Sequence, residues 1–145
     1  MINNEQFKFQ KESPFKKPES KEEKSSDQYG GDAGTVYTGV IIDARGAGIT
    51  PAMSPKIYGP DGKEVYGSIA VERDFVLKHG IVGYVKDLEK AKTNERVKGN
   101  PLIIKGAMNG GKSSDLVISS EDANLLMKLD ATQSFLREAR VIIVI

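Results

Sequence analysis

The sequence predicts an α+β domain, a small mixed sheet with a β-hairpin and two or three helices, preceded by an extended N-terminal arm. Three observations carry that expectation. Hydrophobicity begins abruptly near residue 35, dividing a polar arm (1–34) from a single domain (35–145). Short runs of β-branched residues recur after that point, separated by Gly, Pro and Asn turn signals. Between them stand stretches with helical composition and capping residues.

Taken in order, Val36 to Asp43 is the first strand. Its continuous Val40-Ile41-Ile42 centre fits a central strand buried on both faces. Gly46, Gly48, Pro51 and Pro55 keep the next segment out of any helix. Lys56-Ile57-Tyr58 and Lys63-Glu64-Val65-Tyr66 flank Gly59-Pro60-Asp61-Gly62, a hairpin in which Pro presets φ and Gly accepts the left-handed position. Val71 to Lys78 reads as a short helix facing inward with Val71, Phe75 and Val76 and stopped by Gly80. Ile81 to Val85 favours a strand and Asp87 to Arg96 a helix. Leu102-Ile103-Ile104 and Leu116-Val117-Ile118 are further strands, with Asn109-Gly110-Gly111 as a hairpin turn between them. Ser119 with Asp122 opens a helix through Ala123, Leu126 and Leu129, and Asp130 with Gln133 suggests a second cap before Phe135 and Leu136. Val141 to Ile145 is an apolar strand.

The arm holds six Lys, seven acidic residues and only seven apolar ones. That is too little apolar surface to offset the entropy of ordering it alone, and Tyr29 to Gly34 reads as a flexible linker. Phe7 and Phe9 nonetheless alternate with polar neighbours, the period of a strand with one apolar face, and Phe15 follows Pro14 in an extended setting. We expect Phe7, Phe9 and Phe15 to dock on a neighbouring subunit.

Two stretches invite a chemical reading. Gly106 to Ser113 matches G-x-x-x-x-G-K-[ST], in which backbone amides cradle phosphates, the Lys (Lys112) reaches the terminal phosphate and the hydroxyl (Ser113) binds magnesium. Gly106, Gly111, Lys112 and Ser113 would form that site. The mechanism needs a helix opening at the Lys, yet Lys112-Ser113-Ser114-Asp115 runs into β-forming residues, so a plain hairpin is the preferred reading. Asp43-Ala44-Arg45 is either an ion pair at a strand end or half of an active site. Without a neighbouring carboxylate or nucleophile in sequence, the pair is read as fixing the turn at Gly46. The single His, His79, has no acid or nucleophile at a fixed spacing, and Asp61 and Asp115 are assigned to turns.

Composition narrows the classes further. A formal charge of +1 gives no field favouring nucleic acid. The chain has no Cys, which excludes disulfides and thiolate chemistry. Its apolar runs are strand-sized, so no transmembrane segment is expected. Met1 is not followed by the apolar core of a signal peptide, and the apolar C-terminal end suggests truncation. Catalysis, cofactors and metals are not expected.

The run Tyr37-Thr38-Gly39-Val40-Ile41-Ile42-Asp43-Ala44-Arg45-Gly46, with Pro51 to Ile57, Asn100 to Lys105, Asp115 to Ser119 and Phe135 to Val144, resembles the domain of FlgP-type flagellar outer-membrane lipoproteins. The resemblance covers about residues 36–145. It implies a small α+β domain without known catalysis, periplasmic or outer-membrane residence, and assembly into rings or disks. This sequence departs from the family in lacking a signal peptide and lipidated Cys. The expectation is therefore a self-assembling envelope subunit and homo-oligomer. The alternatives left open are a small nucleotide-binding domain and a monomeric periplasmic adaptor.

Overall fold

A computed structural model describes residues 29–67, 70–110 and 112–145. The fold class is as the sequence predicts, with three helices and a β-hairpin, but the strands divide into two four-stranded sheets rather than one. The first is wholly parallel. β1 (Gly39–Asp43) lies between β8 (Val141–Val144) and β5 (Pro101–Lys105), and β4 (Gly83–Val85) flanks β8. The second is mixed, in the order β3 (Glu64–Tyr66), β2 (Ile57–Tyr58), β7 (Lys112–Val117), β6 (Ala107–Asn109). There β2 runs antiparallel to β3 and parallel to β7, while β6 and β7 form an antiparallel hairpin.

Burial on both faces explains the unbroken apolar strands. On one face of the parallel sheet Val40, Ile42, Leu102, Ile104, Val141 and Ile143 pack with Ile57 and Leu116 of the second sheet. The same cluster takes in Ala123, Leu126 and Leu129 of α3 (Ser120–Asp130). On the other face Ile41, Ile103, Ile142 and Val144 meet Leu88 and Ala91 of α2 (Leu88–Lys92). Each such Ile contributes about 1.5–3 kcal/mol by leaving water. The third helix, α1 (Arg73–His79), has no fully buried residue; Phe75 and Val76 lean on the core from its margin.

The local signals act where the sequence places them. Ser119 Oγ accepts the Asp122 N–H at 3.1 Å and caps α3, and Asp87 does the same for α2 through the Glu89 N–H. The Pro-Asp-Gly turn closes with Gly62 N–H to the Gly59 carbonyl at 3.0 Å. Two details differ. Asp115 is not in a turn but in β7, buried, its Oδ1 accepting the Lys56 N–H at 3.0 Å at the start of β2. Gln133 does not open a second helix; its amide reaches back to the entry of the domain, donating to the Thr35 carbonyl and accepting the Tyr37 N–H, both at 2.9 Å.

Where the chain leaves β5 it bends at Gly106 and continues almost directly into β6, crossing from one sheet to the other. A Cβ at Gly106 would stand 2.7 Å from Ile42 Cγ2, so only glycine lets the backbone pass this close to the central strand. Among the described residues no helix is long and apolar enough to cross a membrane.

Candidate functional site

The carboxyl end of β1 places Asp43 at the rim of the parallel sheet, the position at which open α/β sheets generally present their functional groups. Asp43 is 6% exposed. Its Oδ1 accepts the Arg45 Nε at 2.9 Å and the Arg45 backbone N–H at 3.2 Å. Its Oδ2 accepts Arg45 Nη2 at 2.8 Å and the hydroxyl of Tyr29 at 2.6 Å. The guanidinium thus grips both oxygens in the fork geometry that favours Arg over Lys. Gly46 follows in a turn closed by the Ala47 N–H on the Ala44 carbonyl at 3.1 Å. Above Tyr29, Lys105 Nζ lies 4.6 Å from the ring centroid, a cation–π contact.

The electrostatics follow from this packing. Burial alone would raise the Asp43 carboxyl, but hydrogen bonds from Arg45 and Tyr29 outweigh it and hold the group at about 2. Tyr29 is pushed up to about 12, first by burial and then by its bond to the carboxylate. Arg45 is raised above its already high value by the same carboxylate. All three groups are therefore fixed in charge across the physiological range. Both carboxylate oxygens are occupied from within the chain, an arrangement built to hold two segments together.

What it holds is the root of the arm. Tyr29 anchors on Asp43, the Gly30 N–H donates to the Ile103 carbonyl on the outer side of β5 at 2.7 Å, and Gly31 follows. A Cβ at Gly31 would crowd Tyr37 Oη and stand 2.8 Å from Leu102 Cδ1, so a larger residue here would have to push both side-chain ends aside. Asp32 continues the fastening: its N–H donates to Tyr37 Oη at 3.0 Å and its Oδ1 accepts the Gly34 N–H at 2.9 Å. The segment read as a flexible linker is bonded to the domain at each of these steps. Between it and the first turns of α3 runs an open groove of about 500 Å³ lined by Asp32, Glu121, Asn124 and Lys128, among others.

The other sequence-predicted site residues are placed apart from this cluster. Lys112 and Ser113 are the first residues of β7, with Asn109 paired to Lys112 across the hairpin and the Ser113 carbonyl accepting the Thr50 N–H at 2.9 Å. A strand stands where a phosphate loop requires a helix N-terminus, and Gly106 is accounted for by its approach to Ile42. Gly111 and the three arm phenylalanines, Phe7, Phe9 and Phe15, lie outside the described residues. His79 stacks on Phe75 with ring centroids 6.2 Å apart, and its carbonyl accepts from Arg96. Arg96 also donates to the Ala139 carbonyl at 2.6 Å, tying the end of α1 to the turn before β8.

Sequence reasoning missed Tyr29, Gln133 and Arg96. Tyr29 carries one usable signal, a lone aromatic before Gly-Gly at the end of a polar run. Gln133 and Arg96 act on backbone carbonyls far away in sequence, which no spacing announces.

Comparison with known proteins gives a family match that covers the lock's carboxylate and guanidinium. Residues 39–145 match the family model described as Treponema pallidum Tp0624, second domain. No curated protein sequence matches the chain. With the match running over most of the chain and the whole of β1 to β8, the protein belongs to the Tp0624 second-domain family.

Proposed function

We propose that the chain is a non-enzymatic structural subunit that self-assembles in the bacterial cell envelope, its domain packing against copies of itself and its arm reaching neighbours. The observation that carries this reading is the Tyr29–Asp43–Arg45 lock. A buried carboxylate with its lone-pair directions taken by a guanidinium, a backbone amide and a phenol is poorly suited to transfer protons. It is well suited to fix where a 28-residue polar segment leaves the domain. A tether with a fixed root and apolar residues far along it, at Phe7, Phe9 and Phe15, suits contacts between subunits. A domain of this size also gains stability from burying surface against copies of itself.

The finer reading, a relative of FlgP-type flagellar outer-membrane lipoproteins resident in the periplasm or outer membrane, rests on the Tyr37 to Gly46 run that carries Asp43 and Arg45. Multi-angle light scattering with negative-stain microscopy tests the assembly reading. The full chain should form oligomers, seen as rings, disks or filaments, and a variant lacking residues 2–28 should shift to smaller species. A monomeric full chain, or an unchanged oligomer without the arm, would contradict it.

A further inference from the structure

The root of the arm has a direction. Tyr29 lies over Lys105, Gly30 bonds to Ile103, and Gly31 packs against Leu102. Residues 29 to 31 therefore run antiparallel along the outer side of β5. Because β5 continues through Gly106 into β6, the two make one long bent strand from Pro101 to Asn109. Its first half is covered by the root of the arm. Its second half, β6, is the outermost strand of the mixed sheet among the described residues, with Ala107 exposed and Met108 39% exposed. An edge that no other described strand pairs, carrying a partly exposed methionine, is a template for a further strand.

We propose that the β6 edge is the acceptor for the arm of a second copy of this chain, with Gln6-Phe7-Lys8-Phe9-Gln10 adding as its outer strand. This rests on the assembly reading above and names the surface it would use. The alternation of the segment gives it one aromatic face, and Phe7 or Phe9 laid beside Met108 makes a sulfur–aromatic contact. The occupant comes from another copy because of the intervening chain. Nineteen residues separate Phe9 from Tyr29, and Pro14 and Pro18 among them favour an extended path over a tight return. Fully extended, that stretch reaches about 65 Å, well beyond the radius of gyration of about 13 Å expected for a domain of this size.

The chain has no cysteine, which makes disulfide mapping clean. Lys8→Cys and Ala107→Cys proteins, otherwise full-length, are mixed and oxidised; the control replaces Ala107→Cys by Glu64→Cys on β3, the opposite edge of the same sheet. The expected result is a mixed disulfide at Ala107→Cys in at least about tenfold higher yield than at Glu64→Cys, as local effective concentration dictates. Met108→Lys, which leaves the hairpin register intact but charges the edge, should reduce oligomer size in the same scattering assay. Oligomers that form without this crosslink, and that Met108→Lys leaves intact, would overturn the acceptor while sparing the assembly reading. A crosslink formed only within single chains of a Lys8→Cys/Ala107→Cys double variant would overturn exchange between copies. A monomeric full chain would overturn both.

Discussion

The rim of the parallel sheet at Asp43 and the exposed hairpin at Gly106 to Ser113 each carry a sequence pattern that suggests chemistry, and the fold treats them in opposite ways. Asp43 is drawn into the body of the domain, and Arg45 closes over it from the surface. The strand that ends at Asp43 is central, the carboxylate is buried, and both of its oxygens meet partners from the same chain. The glycine-rich hairpin hangs on the edge of the second sheet, with Lys112 exposed on a strand and its first glycine used for packing against Ile42. A spacing pattern acquires its chemical meaning from the backbone that presents it. The fully matched phosphate-loop pattern lacks the required helix, whereas a three-residue run without a motif name organises the root of the arm.

That contrast sets out predictions in decreasing size. Ile42→Ala, beneath the rim, removes a fully buried side chain of the central strand and should cost about 2–5 kcal/mol by urea denaturation. Asp43→Asn should cost about 1–3 kcal/mol, because it weakens the bidentate grip on Arg45 and leaves a buried amide beside a guanidinium. Tyr29→Phe deletes one bond to that carboxylate from a ring that is 39% exposed, and should cost about 1 kcal/mol. Lys112→Ala and Ser113→Ala, on the hairpin, should each stay within about 0.5 kcal/mol of the parent. A hairpin variant that destabilised more than Asp43→Asn would reverse the comparison.

The same regions separate by pH. Asp43 has a folded value held below that of the unfolded chain, so its contribution is present above about pH 4 and is lost as pH falls towards 2. Tyr29 is raised, so its contribution is present below about pH 10 and is lost as pH rises towards 12. Melting temperatures across these two windows should fall less steeply in Asp43→Asn on the acid side and in Tyr29→Phe on the alkaline side. Lys112→Ala should track the parent in both.

The contrast also shows which parts of the molecule were legible in the amino-acid order. Val40-Ile41-Ile42 and Val141 to Val144 announce buried strands because burial on both faces demands an unbroken apolar run. The Pro60-Asp61-Gly62 turn and the Ser119 cap announce themselves because their chemistry is local. The division into two sheets was not legible, since it turns on one glycine, Gly106, whose role is set by a side chain from a strand more than sixty residues earlier. Asp115 looked like a turn residue because Asp in strands is uncommon; its partner, the Lys56 N–H, lies fifty-nine residues away. The lock was half legible. Asp43 and Arg45 stood out as a pair, but Tyr29 lies fourteen positions before Asp43, in the glycine-rich Tyr29 to Gly34 stretch that read as a linker.

The rim joins the root of the arm to the sheet through one carboxylate. A double-mutant cycle on stability, with Tyr29→Phe, Asp43→Asn and the pair measured by urea denaturation, tests it most directly. A coupling of about 1 kcal/mol, the double variant costing less than the two singles added together, is the predicted result. Strict additivity would mean that Tyr29 and Asp43 act independently, and would contradict the account.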